Sequence, residues 1–142
     1  ALPVPAVIVE NDIGLRPNHG CHFGDGMATV ANTVGAIGLV TDGGVRDVET
    51  VYEMGFQMFS VGLVPAHGNF GLDETNVPVE VGGVLVNVGD VVHADMNGVV
   101  VFPVDLVDHV ISEAKKVTAR ESEMMDWVNS DGFSLDKFIE GR

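Results

Sequence analysis

The sequence predicts an α/β fold of layered β/β/α type, with mixed sheets and a long C-terminal helix. Three observations predict it. The first half alternates short apolar β-branched runs with helical segments, the pattern of parallel β-α-β crossovers. After Gly62 the texture changes to short β runs cut by Gly82-Gly83 and Gly89-Asp90. From about Val104 to Trp127 a single apolar stripe marks one long helix.

Ala6–Glu10 (Ala-Val-Ile-Val-Glu) reads as a buried strand, a short apolar run rich in β-branched residues. Ile13–Phe23 carries Gly, Pro and Asn and reads as loop. A helix follows Gly24-Asp25-Gly26. Asp25 is placed as its N-cap, Met27, Val30, Ala31 and Val34 give the i, i+3, i+4, i+7 stripe, and Gly35 is the C′ stop. Ile37–Thr41 is a second buried strand, ending in Asp42-Gly43-Gly44-Val45-Arg46-Asp47. Val48–Met54 is helical and is stopped by Gly55, and Gln57–Val61 is a third strand.

Val64–Asn76 reads as loop, and Val77–Val81, Val84–Val86 and Val91–Ala94 as short strands. Asp95-Met96-Asn97-Gly98 is a hairpin turn into Val99–Phe102. Pro103 starts the long helix, apolar at Leu106, Val107, Val110, Ile111, Ala114 and Val117. Asp105 and Asp108 at its start, with Lys115, Lys116 and Arg120 further on, complement the helix dipole. This organisation gives one domain over 1–127 and a polar C-terminal tail over 128–142, with Leu135, Phe138 and Ile139 as docking points.

The 142 residues include 7 Lys+Arg against 21 Asp+Glu, a formal net charge of −14, and 46% are apolar, enough to bury a core. So acidic a chain argues against nucleic-acid partners and anionic membrane surfaces. No apolar run reaches the roughly 18–20 residues needed to span a bilayer. A single cysteine, Cys21, excludes an internal disulfide framework and a cysteine-only zinc site, and no n-region and h-region open the chain. The expectation is a cytoplasmic protein. Ala1-Leu2-Pro3 opens it without an initiator Met, which fits a processed chain or a piece of something longer.

Between Pro17 and Ala114 the one cation is Arg46, set among thirteen carboxylates. Its isolation leaves two readings open: capture of a carboxylate or enolate-type oxyanion, or a structural ion pair with Asp42 or Asp47. Two strand-to-helix turns each present a carboxylate, Asp25 and Asp47, the second beside Arg46. In parallel α/β sheets the carboxyl ends of the strands share one edge, where ligands bind. The amides of the helix starting at Gly26-Met27 attract an anion, and the carboxylates suit a hard cation such as Mg²⁺ with several waters retained. That set fits a small α-keto acid whose enolate must be stabilised. The glycines of Asp42-Gly43-Gly44-Val45 match neither a dinucleotide fingerprint nor a P-loop. Asp42 reads as an Asx turn, Asp95 and Asn97 as hairpin chemistry, and Cys21 as a small hydrophobe. His19 and His22, three apart, lack a third clear metal ligand.

Asp25, twenty intervening residues, then Arg46-Asp47 resembles the D-x20-R-D signature of the metal-dependent pyruvate aldolases of the RraA-like family. Ile37–Asp47 is similar to that family's G-x-V-x-D-G-x-V-R-D block, and Val88–Pro103 to its G-D-x-V-x-A-D-x-D-G-V-V-V-x-P block, with Asn97 where Asp is usual. The resemblance runs from about Val4 to Glu123. It implies a swivelling-domain-like β/β/α sandwich and a lyase of the 4-hydroxy-4-methyl-2-oxoglutarate (HMG) and 4-carboxy-4-hydroxy-2-oxoadipate aldolase type. Its reactions would be retro-aldol cleavage of 4-hydroxy-2-oxo acids to pyruvate and decarboxylation of oxaloacetate through the same enolate. By the resemblance, Asp47 anchors Mg²⁺ or Mn²⁺, Asp25 orients or deprotonates a bound water, and Arg46 clamps the pyruvoyl group. The Gly26 and Met27 amides hold the substrate carboxylate. A glutamate from a neighbouring subunit's C-terminal helix, Glu121 or Glu123 with Glu121 preferred, completes the site in a homotrimer or hexamer. Phe23 and Met27 border the pocket. The family's long segment before the first strand is not seen here. Some RraA-like proteins instead regulate ribonuclease E by binding it, the alternative function. A menaquinone methyltransferase reading lacks a glycine-rich S-adenosylmethionine loop.

Overall fold

The computed structural model describes residues 5–69 and 71–141. The chain folds into two compact units that divide between Phe102 and Pro103, whereas the sequence reading set its boundary at 127/128.

The first unit is built on two parallel three-stranded sheets. One is ordered β1 (Ala6–Glu10), β3 (Ala36–Thr41), β5 (Gln57–Phe59). Helices α1 (Asp25–Val34) and α2 (Val48–Glu53) make the crossovers and pack on β3 and β5. The other, ordered β2 (Cys21–Phe23), β4 (Gly44–Val45), β6 (Gly62–Leu63), is made of strands two or three residues long. Two antiparallel hairpins follow, β7 (Val79–Val81) with β8 (Val84–Val86), and β9 (Val91–Asp95) with β10 (Gly98–Phe102). The β7–β8 hairpin lies alongside β1. In the second turn, Asp95 accepts hydrogen bonds from the Asn97 backbone N–H (2.7 Å) and side-chain amide (3.2 Å). The backbone bond, chiefly, holds the Asp95 carboxyl below the usual carboxylate range. The mixed parallel and antiparallel sheets and the long C-terminal helix are those the sequence predicts.

The core unites Phe23, Ala28, Ala31, Ala36, Leu39, Val45, Val51 and Phe56, with Ile8, Met54 and Met58 packed at its margin. Phe23 stacks on Phe56 with ring centroids 5.7 Å apart. The sequence reading is corrected at three places. β1 is half-buried because it is an edge strand; the central β3 is buried at every position but Ile37. Helix α1 buries Ala28 and Ala31, whose small side chains let it lie close to the sheet, and leaves Met27, Val30 and Val34 exposed. Phe23, expected to border the pocket, belongs to the core and is 1% exposed.

Helix ends follow the expected chemistry, shifted by a residue. Gly24 is the N-cap of α1 and Asp25 its first residue, while Gly35 ends it in the left-handed conformation (φ 102°). Gly55 (φ 75°) plays the same part after α2.

The second unit opens with a 3₁₀ turn (Val104–Leu106) and α3 (Val107–Val128). No residue of α3 is buried, and Leu106, Ile111 and Val117 of its apolar stripe are more than 40% exposed. The expected tail carries a further helix, α4 (Leu135–Glu140), capped by the Ser134 hydroxyl, which accepts from the Lys137 N–H. Trp127, Phe133 and Phe138 form an aromatic cluster between the two helices, with centroids 5.2–6.3 Å apart. Among the described residues no helix is long and apolar enough to cross a membrane.

Candidate active site

Strands β2 and β4 are parallel neighbours, and their register sets Phe23 opposite Val45. The residues that follow each strand therefore emerge side by side: Gly24–Asp25 into α1, and Arg46–Asp47 into α2. The Arg46 N–H donates to the Phe23 carbonyl (3.1 Å) and extends the pairing to the lip of the site. This register brings Asp25, Gly26, Arg46 and Asp47 to one sheet edge, although twenty residues separate Asp25 from Arg46.

At the centre lies Asp47 Oδ2, which accepts from Arg46 Nε at 3.3 Å and from the Asp25 backbone N–H at 3.4 Å. Arg46 Nη1 donates to the Pro65 carbonyl at 3.4 Å, so the loop after β6 holds the far end of the guanidinium. The structural pairing weighed for Arg46 thus exists, with Asp47 and not with Asp42. Both side chains are 36% exposed and open to a ligand. Asp47 itself is left-handed (φ 56°, ψ 32°), a conformation that Asp tolerates but that costs free energy, and it sits where α2 begins.

Gly24 is dictated by this arrangement. A Cβ there would stand 2.6 Å from Asp47 Oδ2 and 3.2 Å from Arg46 Cγ. Asp25 is exposed, and its Oδ1 accepts from the Gly26 N–H at 2.6 Å. The Gly26 amide assigned to the substrate is therefore engaged by Asp25. Asp25, Gly26 and Met27 form the first turn of α1, where backbone amides have no intrahelical acceptor. The Met27 side chain is 42% exposed at this turn. Glu121 and Glu123 are exposed on α3, in the second unit.

Among the described residues no group of three or more His, Cys, Asp or Glu could hold a metal by itself. The donor set at Asp47 and Asp25 is hard oxygen from carboxylates at one edge. That set fits a cation such as Mg²⁺, which binds through one or two carboxylates and keeps most of its water.

Asp42 makes no local turn: its Oδ1 accepts from the Asp12 N–H at 2.7 Å and ties down the loop after β1, while the Thr41 hydroxyl accepts from Gly43 N–H (2.9 Å). Sequence reasoning missed three contributors. Gly24 was signalled by its place before Asp25, the Pro65 carbonyl by nothing in the sequence. His22, read as loop, lies in β2 with its Nε2 3.0 Å from Glu10 Oε2; a carboxylate closing the apolar run of β1 was the one available sign.

The carboxyl edge of this parallel α/β unit thus presents a guanidinium, two carboxylates and helix N-terminal amides together, the edge at which ligands bind in such sheets. Residues 3–101 match the family model described as RraA-like, Aldolase/RraA. The chain is 34% identical over 121 residues to a Halalkalibacterium halodurans protein named "Putative 4-hydroxy-4-methyl-2-oxoglutarate aldolase", covering 82% of this chain and 58% of that one. Its fold matches an uncharacterised Pseudomonas syringae protein (TM-score 0.80, 29% identity, 99% of this chain and 66% of the other). It also matches Streptomyces coelicolor RraAS2, described as an unusual member of the RNase ES inhibitor RraA family (TM-score 0.72, 31% identity, 86% and 63%). The chain belongs to the RraA-like, Aldolase/RraA, family. It spans 58% and 50% of the length of two curated relatives it matches.

Proposed function

We propose that this site serves a divalent-metal-dependent lyase that cleaves 4-hydroxy-2-oxo acids of the HMG type to pyruvate and decarboxylates oxaloacetate through the same enolate. The observation that carries the reading is the junction of Asp25, Arg46 and Asp47 across the β2–β4 pair. Asp47 would hold Mg²⁺ or Mn²⁺, which when bound supplies Lewis-acid polarisation of the 2-oxo group.

The chain's own residues do the rest. Arg46 donates to the C2 oxygen as it gains charge, a contribution of about 3–4 kcal/mol for one well-aimed donor. The substrate C1 carboxylate takes the amides of Gly26 and Met27 and displaces Asp25 from the first of them. Asp25, so released, takes the proton of the 4-hydroxyl, directly or through a water. The C3–C4 bond then breaks, its electron pair passes into the C2 enolate, and protonation at C3 gives pyruvate. Oxaloacetate loses CO₂ from C4 to reach the same enolate. Glu121 of a neighbouring subunit would face the leaving group in a homotrimer or hexamer. The exposed stripe Met27, Val30 and Val34 supports such an assembly, since exposed apolar patches favour association.

The test is a lactate-dehydrogenase-coupled assay for pyruvate from HMG and from oxaloacetate, with Mg²⁺ and then with EDTA. Release above the free-metal background that EDTA abolishes is the expected result; no release from folded protein at saturating metal counts against the lyase. The second reading, a non-catalytic regulator that binds ribonuclease E, is favoured by the charge of −14 and by the likeness to RraAS2. Capture of that ribonuclease by Arg46→Ala protein in EDTA would support it.

A further inference from the structure

The His22 side chain joins β2 to the ends of two other strands. It lies in β2, two residues before Gly24. Its Nε2 is 3.0 Å from Glu10 Oε2, at the end of β1, and 3.5 Å from Thr41 Oγ1, at the end of β3. Those strands belong to different sheets: β1 and β3 to one, β2 to the other. The ring is also wedged against the turn after β3, where a Cβ on Gly43 would collide with it. Thr41 in turn accepts from the Gly43 N–H (2.9 Å), and Gly43-Gly44-Val45 leads directly to Arg46. Both turns of the site therefore start from residues that His22 touches or adjoins.

We propose that His22 is a positioning residue, which links Glu10 and Thr41 and thereby fixes the relative placement of the Gly24–Asp25 and Arg46–Asp47 turns. It acts through the backbone of β2 and of the 43–45 turn. The proposal rests on the lyase reading for its catalytic consequence but not for its structural one.

The link is proton-dependent. The hydrogen bond to Glu10 raises the His22 pKa above its ordinary value, and burial, which opposes this, does not prevail. The charges of Glu10 on β1, Asp12 on the following loop and Asp42 after β3 act in the same direction. Arg16, His19 and His67 line the cavity of about 940 Å³ beside the ring. A histidine whose pKa is raised on folding adds stability that is full below its unfolded pKa and is lost as the pH rises through the folded one. The linkage is thus complete below about pH 6.5, near the unperturbed value, and weakens above it.

Glutamine places an amide N–H near the position of Nε2 but does not titrate, so His22→Gln separates the contact from the proton. The first measurement follows the backbone amides of Gly24–Met27 and Arg46–Val48 by ¹H–¹⁵N NMR from pH 5 to 9, with the His22 ring proton titrated alongside. In the natural protein the amides should shift with the midpoint of His22. In Glu10→Gln that midpoint should fall, and in His22→Gln the shared step should vanish. The second measurement is pyruvate release against pH, which should decline through the same midpoint and show no such decline in His22→Gln. Site amides that ignore the His22 titration, or an unchanged step in His22→Gln, overturn the proposal. If His22→Gln does not fold, Glu10→Gln decides by whether amide midpoint and ring midpoint move together. Protein that shows the amide coupling but releases no pyruvate retains the positioning role and loses the lyase reading.

Discussion

Arg46→Ala should lower kcat for pyruvate release by 10²–10³-fold, the range found for losing one preorganised donor to a developing oxyanion. The fold should survive, because Arg46 is a third exposed and its pair with Asp47 is a surface contact of little stabilising value. If the guanidinium served only to neutralise Asp47, the variant would retain most of its activity. More than about a tenth of the natural kcat in Arg46→Ala is incompatible with a clamp acting on the transition state. Arg46→Lys refines the test. It keeps the charge but loses the fork that reaches Asp47 through Nε and the Pro65 carbonyl through Nη1 together, so it should recover little.

Gly24→Ala should disable the same site without unfolding the protein. Gly24 has an extended backbone (φ −145°, ψ −160°) that alanine adopts freely. Two effects on stability oppose one another. Alanine is a poorer N-cap than glycine by roughly 0.5–1 kcal/mol, and restricting the unfolded chain returns about 0.4–1 kcal/mol. The added methyl meets Asp47 Oδ2 at 2.6 Å and Arg46 Nε at 3.3 Å. Asp47 is short and must rotate off Arg46, so the cost appears in catalysis. Displacement of catalytic groups by about an ångström costs on the order of 10²-fold in rate, and kcat/KM should fall by that order with a nearly unchanged melting temperature. Gly62→Ala, whose Cβ would meet nothing within 4 Å, is the matched control and should retain natural activity.

What could be read in the sequence was what has a period or a turn signature. The apolar run of β1, the helices α1 and α2 with their glycine stops, and the Asp95–Gly98 hairpin all carry local signals, and all form close to where they were expected. Strands β2, β4 and β6 do not, since two or three residues cannot display alternation, and they exist only because their partners hold them. That omission bears on the site. The Asp25 and Arg46–Asp47 turns were legible one at a time, but the pairing that sets them side by side depends on Phe23 opposite Val45, a non-local fact. Of the stripe on α1 this single chain buries only Ala31, and of the stripe on α3 nothing. His22 was hidden for the same reason as β2: its partner, Glu10, lies on a strand of another sheet, and no spacing rule links them.

The proposed lyase requires this site to stabilise a pyruvate enolate, whatever lies beyond C3 in the natural substrate. Pyruvate itself tests it. Its methyl protons exchange with deuterium only through the enolate, so the measurement is the loss of the methyl signal by ¹H NMR when pyruvate is incubated with the protein and Mg²⁺ in D₂O. Exchange should run well above that of Mg²⁺ alone and be abolished by EDTA and by Arg46→Ala. Folded, metal-saturated protein that leaves the methyl signal at the rate of the metal blank would contradict it.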